Sequence, residues 1–368
     1  MRTDPMRTDL LTYSTKPRGG VVHTLALAEA LAADGGEVHV WSLGRGGDGG
    51  FFRAVDPRVR LHVVPLPEVA GETVGERVLR SIEVLGAALR EVPVTGLVHA
   101  QDCISANAAA AAGLRVVRTV HHLDQFTTPQ LARCHERAIV EPYAHVCVSA
   151  AVAAELRDGW GIEATVIPNG VHAQRFADAD PGRWPGELGR YVLTVGGIEP
   201  RKGSLDLLEA YARLHVGHPD LTLAIAGGET VFDYRDYRAR WDARAVELGV
   251  APVVLGPVPD DDLPALVAGA AAFAFPSVKE GFGIAAMEAL AAGVPLVVSD
   301  LPVLRETFAG AAAFAAGPAE LAHELAAAVD APDPARVAAG RALAARYTWD
   351  AAATKHRELY ASLQTAVR

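Results

Sequence analysis

From Leu10 onward, short apolar runs of strand length alternate with longer Ala- and Leu-rich amphipathic segments, and this rhythm constrains the fold more than any other feature. Runs that are apolar throughout suit strands buried on both faces of a parallel sheet, and the segments between them supply the covering helices. In the first half the strand candidates are "LLTYST", "EVHVWSL", "VRLHVVPL", "GLVHAQD", "RVVRTVHH", "HVCVSA" and "ATVIPNG". Helices such as "TLALAEALAADGG" fall between them and stop at Gly35 and Gly36, as helix ends commonly do. The second half repeats the pattern with "YVLTVGG", "LTLAIAGG", "PVVLGPV", "AAFAFPS" and "PLVVSD". Between the halves, "HAQRFADADPGRWPGELGR" (His172 to Arg190) replaces periodic apolar residues with Pro, Gly and Asp and reads as a linker. The expected architecture is α/β: two doubly wound Rossmann-like domains in tandem, facing across a cleft, with ligands at the carboxyl ends of the strands.

Bulk properties agree with this and exclude several classes. A chain of 368 residues exceeds what one hydrophobic core usually supports. Half the residues are hydrophobic and 21% are charged, the balance of a soluble globular protein. A formal net charge of −10 argues against broad nucleic-acid binding, which needs a basic surface. Cys103, Cys134 and Cys147 are odd in number and lack CxxC spacing, so neither a disulfide scaffold nor a zinc site is expected, and the cytoplasm is the natural compartment. The most apolar stretch, "LPALVAGAAAFAFPSV", is too short and too broken by Pro and Gly to be a transmembrane segment. The opening "MRTDPMRTD" repeats itself, so Met6 is the expected start and residues 1–5 are set aside.

Four loops at strand ends carry the chemistry. "KPRGGVVHTLALAEAL" places Gly19 and Gly20 at a helix start, where free N–H groups attract anions; alone, this is equally well a tight β-α turn, and it is not GxGxxG. The corresponding turn of the second half, "YVLTVGGIEPRKGSLDLLEAY", has Gly196 and Gly197 ending a strand, then Arg201 and Lys202, with Ser204 as candidate N-cap. Two cations beside a helix start suit a diphosphate, although a solvated basic pair is the ordinary alternative. In "VKEGFGIAAMEALAAG", Glu280 precedes a helix and Glu288 lies on it, eight positions apart around Gly281 and Gly283. Carboxylates repel phosphate, so this pair makes more sense as acceptors for sugar hydroxyls; singly, Glu280 reads commonly as a helix N-terminal charge and Glu288 as a core-edge ion pair. Finally, "RTVHHLDQF" ends a strand on His121 and His122, which point to opposite faces and so are poor joint metal ligands. No GxSxG, HExxH, EF-hand or P-loop pattern is present.

Taken together and in order, "RGGVVHTLALAEAL", "TVHH", "VSAAVAAEL", "VIPNGV", "VGGIEPRKG", "AGG", "LGPVPDDDL", "FPSVKEGFGIAAMEALAAGVPLVVSD" and "YTWDAAATKHRELY" resemble the retaining glycosyltransferases of family 4, which have the GT-B fold. The resemblance spans nearly the whole chain from Met6. It implies an N-terminal, acceptor-side domain over residues 6–178, a donor-side domain over 186–346, and a final helix over 347–368 that crosses back to the first domain. It assigns Gly19 and Gly20 to the donor phosphates, Arg201 and Lys202 to the diphosphate, Glu280 to hydroxyls of the donor sugar and Glu288 to the nucleotide ribose. Backbone N–H groups of Gly281, Phe282 and Gly283 would add to phosphate binding, with Gly197 and Ile284 flanking the same donor. Main chain around Gly256 to Pro259, Val258 included, would meet the base. His121 aligns with the family's histidine near the transferred sugar, followed here by His122 where Asp is frequent.

The implied reaction is metal-free sugar transfer with retention from a nucleoside-diphosphate sugar, a UDP- or GDP-linked hexose, to a small-molecule acceptor. The departing phosphate helps deprotonate the acceptor, and no further cofactor is needed. A nucleotide-sugar 2-epimerase, a phosphorolytic enzyme and a non-catalytic sugar-nucleotide sensor share the fold and stand as alternatives. Membrane docking occurs among lipid-modifying relatives, but in "GERVLRSIEVLGAALREV" Arg77, Arg80 and Arg90 are balanced by Glu76, Glu83 and Glu91, so a soluble acceptor is expected.

Overall fold

The apolar runs form two parallel sheets among the described residues, one in each of two units. The computed structural model describes residues 7–124, 126, 128–228 and 234–365. The expected start at Met6 and the last three residues of the expected final helix, 366–368, therefore lie outside the described residues. The first unit takes in the chain up to Gly170 and again from Trp349, and the second is Val171–Thr348.

In the first unit, β1 (Arg7–Leu11), β2 (Glu37–Arg45), β3 (Val59–Leu66), β4 (Leu97–Ala100), β5 (Val116–Val120), β6 (Ala144–Cys147) and β7 (Thr165–Val166) lie in the order 3-2-1-4-5-6-7, every pair parallel. All residues of β4 and β5 are buried, His99, Arg118 and Thr119 included, so neither strand shows the alternation of a sheet with one face in water. The direction of strand addition reverses between β1 and β4, the kind of switch point beside which doubly wound sheets bind their ligands. Local capping sharpens the helix starts: Thr73 and Glu76 bond each other's backbone at the start of Val74–Glu91, and Asp102 and Ser105 do so at Cys103–Ala111. The helix Gly19–Ala33 is buried on several sides because it packs on the final helix, Trp349–Thr365, as well as on the sheet.

The second unit repeats the plan with β8 (Arg190–Val195), β9 (Leu221–Ala226), β10 (Val253–Gly256), β11 (Ala272–Phe275), β12 (Leu296–Ser299) and β13 (Ala313–Ala315), in the order 10-9-8-11-12-13. Its switch point falls between β8 and β11, where Ala272 pairs with Val192 and Phe273 with Leu193. The fold class is thus α/β, with two doubly wound Rossmann-like units.

Two readings of the sequence need correction. The stretch His172 to Arg190 is not an open linker: it forms the short helices Ala173–Ala177 and Trp184–Leu188, whose Phe176 and Trp184 are buried, and the former packs on the helices Leu263–Ala268 and Ile284–Ala292. Burial of two large rings set in polar sequence anchors these short helices. Ser204 is the first helical residue of Ser204–Gly217, not its N-cap; Gly203 caps, and the Ser204 hydroxyl bonds back to Glu199.

Candidate functional site

At the switch point of the second unit, the loop after β8 and the loop after β11 are locked together by main chain. The Val278 N–H donates to the Arg201 carbonyl at 2.9 Å. Gly203 makes the approach possible: its φ of 62° lies in the left-handed region, and a Cβ there would overlap the Pro276 carbonyl. The result brings together the charges predicted from sequence. Lys202 Nζ lies 2.9 Å from Glu280 Oε2, Arg201 Nη1 lies 3.5 Å from the same oxygen, and Arg201 Nη2 reaches Glu199 at 3.1 Å. Lys202 also sits 5.0 Å from the centre of the Phe275 ring. The other Glu280 oxygen accepts from the Gly281 N–H at 3.1 Å, so this carboxylate stands where cations and an amide of the loop before the helix Ile284–Ala292 converge. All of these side chains are mostly shielded from water, and their attractions are correspondingly stronger than those of exposed pairs.

The Gly-Phe-Gly turn has divided roles. Gly283, at φ 95°, is the N-cap of Ile284–Ala292, and a Cβ on it would press on Phe308 and Phe275. The Phe282 side chain is buried edge-on against Tyr347 at 5.4 Å, so only its backbone faces a ligand role. Ile284 opens the helix, and Glu288 follows on the half-buried face. Crowding by protein atoms pushes the Glu288 carboxyl up to about 8; Arg175 pulls it down by less, and Asp260 adds to the rise. Arg175 and Asp260 form an ion pair at 2.7 Å, and Asp260 directly follows Val258 and Pro259. Glu288 and the loop expected to meet the base are therefore neighbours, as a ribose between them would require. Gly197 follows β8, where the Gly227 backbone crosses so closely that a Cβ on Gly227 would overlap Gly196 and Gly197.

In the first unit the expected pair also meets. A Cβ on Gly20 would lie 3.8 Å from His121 Cδ2 and Nε2, so the histidine after β5 sits beneath the first turn of Gly19–Ala33, with Gly19 exposed beside it. Burial, aided by His23 and Arg118, holds the His121 ring well below the ordinary histidine range, and it stays neutral near pH 7. His122 points elsewhere and pairs with Asp124 at 3.2 Å, in keeping with opposite faces. Among the described residues no group of three or more His, Cys, Asp or Glu is placed to hold a metal ion, and no helix is long and apolar enough to cross a membrane.

Comparison with known proteins decides the family. Residues 17–175 match Glycosyltransferase Family 4, and residues 185–336 match Glycosyl transferases group 1. A phosphatidyl-myo-inositol mannosyltransferase of Mycolicibacterium smegmatis is 31% identical over 339 residues, 86% of this chain and 82% of that protein. The chain belongs to glycosyltransferase family 4. A glycogen synthase of Mycobacterium tuberculosis is likewise 31% identical over 297 residues, covering 74% of this chain and 70% of that one. The crystal structure of Anabaena HepE in complex with UDP-glucose superposes with a TM-score of 0.77 at 19% identity, over 97% of this chain and 100% of that one, a likeness of fold. The protein is thus a nucleotide-sugar glycosyltransferase of GT-B type.

What sequence reasoning missed in this family 4 enzyme lies beneath His121. His23, 99% shielded, stands edge-on to it with ring centres 4.8 Å apart, and His99 and His356 continue the cluster. The available signal was spacing: His23 follows Gly20 by three positions, which puts both on one face of the helix.

Proposed function

We propose that this family 4 enzyme moves a hexose from a UDP- or GDP-linked donor to a soluble small-molecule acceptor in the cytoplasm, with retention of anomeric configuration and without a metal ion. The observation that carries the reading is the meeting of Arg201, Lys202 and Glu280 at the β8/β11 switch point, beside the amides of Gly281 to Gly283. Two fixed cations and a helix start aimed at one place suit the charge that develops on a departing nucleoside diphosphate, and such preorganised charge is usually the largest catalytic contribution. Glu280 would exchange its cation partners for donor-sugar hydroxyls as the diphosphate takes them over. Glu288, held largely protonated at pH 7, would both donate to and accept from ribose hydroxyls. His121, neutral, would accept or donate a hydrogen bond at the transferred sugar without adding charge. UDP-glucose in the Anabaena structure, and the names of the two relatives, support a hexose donor.

The test has two stages. Nucleotide sugars are screened for thermal stabilisation, because a ligand that binds the folded state raises its apparent stability. The best donor is then incubated with a panel of sugar and polyol acceptors in EDTA, and the anomeric proton of the product is read by NMR. An α-linked product from an α-linked donor supports the reading; donor turnover to an epimer with no acceptor consumed would replace it with epimerase chemistry.

A further inference from the structure

We propose that His23 is a positioning residue for His121, fixing the orientation of the ring that meets the substrate. The inference rests on the reading above that His121 touches the transferred sugar, and goes beyond it by naming what holds His121 in place.

His23 lies on the first turns of Gly19–Ala33 and is almost fully buried. Its Nδ1 sits 2.8 Å from Asn169 Oδ1, so Nδ1 carries the hydrogen and donates, leaving the Nε2 lone pair on the other side of the ring. Its ring meets His121 edge-on, with centres 4.8 Å apart and planes at 79°. Trp349 packs against it at 5.4 Å, 74° from coplanar, and His356 at 6.3 Å. Below these, His99 is fixed at both nitrogens, by the Tyr360 hydroxyl at 2.6 Å and the Thr119 hydroxyl at 2.7 Å. His121 has no such bond at Nε2: among the described residues that nitrogen, though buried, has no hydrogen-bond partner. A ring left free at Nε2 for a substrate hydroxyl needs its plane set by packing, and His23 supplies the contact, itself fixed through Asn169. Burial takes His23 down to about 3, so it bears no charge that would disturb the neighbouring ring. Asn169 immediately precedes Gly170, where the first unit's first segment ends, and Trp349 begins its second. His23 therefore ties the helix that carries Gly20 to the places where the chain leaves the first unit and re-enters it.

The experiment is a double-mutant cycle with His23→Gln and His121→Ala, measuring kcat, KM, nucleoside diphosphate affinity and melting temperature. A misplacement of a reacting group can cost about 100-fold, so kcat should fall by a factor on the order of ten to a hundred in His23→Gln. In the His121→Ala background, adding His23→Gln should change kcat by less than about twofold, because residues acting as one unit are not additive. Diphosphate affinity, set by Arg201 and Lys202, should be unchanged throughout. Equal kcat losses in both backgrounds would mean a general structural role, and no loss in either would also overturn the proposal. If His121→Ala alone leaves transfer intact, the reading of His121 fails instead. Asn169→Ser serves as a second variant that leaves the His23 ring in place; it should lower kcat in the same background-dependent way, and additive behaviour would count against positioning.

Discussion

Lys202 and Glu280 stand 78 residues apart in sequence and 2.9 Å apart in space, joined across the point where the second sheet reverses its direction of growth. The pairing has a consequence for binding: in the free protein the carboxylate competes with phosphate for both cations, since Arg201 shares the same oxygen at 3.5 Å.

Glu280→Gln should therefore separate binding from transfer. Removing the negative partner releases Lys202 and leaves Arg201 with Glu199, and an ion pair of roughly 1 kcal/mol corresponds to about fivefold tighter nucleoside diphosphate binding. Transfer should drop by about 100-fold, as expected when a group that orients the reacting sugar is lost. Calorimetry paired with a product assay measures both; weaker diphosphate binding together with normal turnover would refute the assigned role.

Glu288→Gln should change how stability depends on pH. The carboxyl's ordinary value is 4.5 and the fold raises it to about 8. Between these values the folded state keeps a proton that the unfolded state releases, so stability falls as pH rises across the window. The full contribution is present below about 4.5 and is lost by about 8. The neutral amide should flatten this slope and raise the melting temperature at pH 8 relative to wild type. Parallel melting curves for the two proteins from pH 5 to 8 would contradict the buried, protonated carboxyl.

Gly203→Ala should damage the donor site through the backbone. The residue sits at φ 62°, and its added Cβ would overlap the Pro276 carbonyl. Strain of this kind costs about 1–3 kcal/mol before the steric overlap is counted. Relief would separate the Arg201 turn from Val278, so diphosphate affinity should fall together with thermal stability. A stable variant with unchanged affinity would show that the close approach is dispensable.

Much of the fold was legible because its parallel strands carry short clusters of apolar residues separated by helix-length segments, and twelve such clusters marked β1 to β12. The exception is β13, Ala313–Ala315, written "AFA" in an alanine-rich stretch with no β-branched residue to distinguish it from helix. The residues proposed for the donor site stood out in the sequence because anion binding at strand ends would call for glycine and cations within a few positions of each other. Phe176 and Trp184 were not, because single rings in polar sequence carry no period. His23 escaped for another reason: its partners come from three separate stretches, His121, Asn169 and the final helix with Trp349 and His356, and only the tertiary structure assembles them.

The central claim is that the cations at the β8/β11 switch point hold the donor diphosphate unaided by metal. Titration calorimetry of UDP and GDP in EDTA, on the wild type and on Arg201→Ala/Lys202→Ala, tests it most directly. Charge-assisted bonds contribute about 1.5–3 kcal/mol each, so losing both cations should weaken binding by at least about 100-fold. The account predicts metal-free binding of at least one nucleotide to the wild type and its near loss in the variant. Equal affinities for the two proteins, or wild-type binding that appears only when a divalent cation is restored, would contradict it.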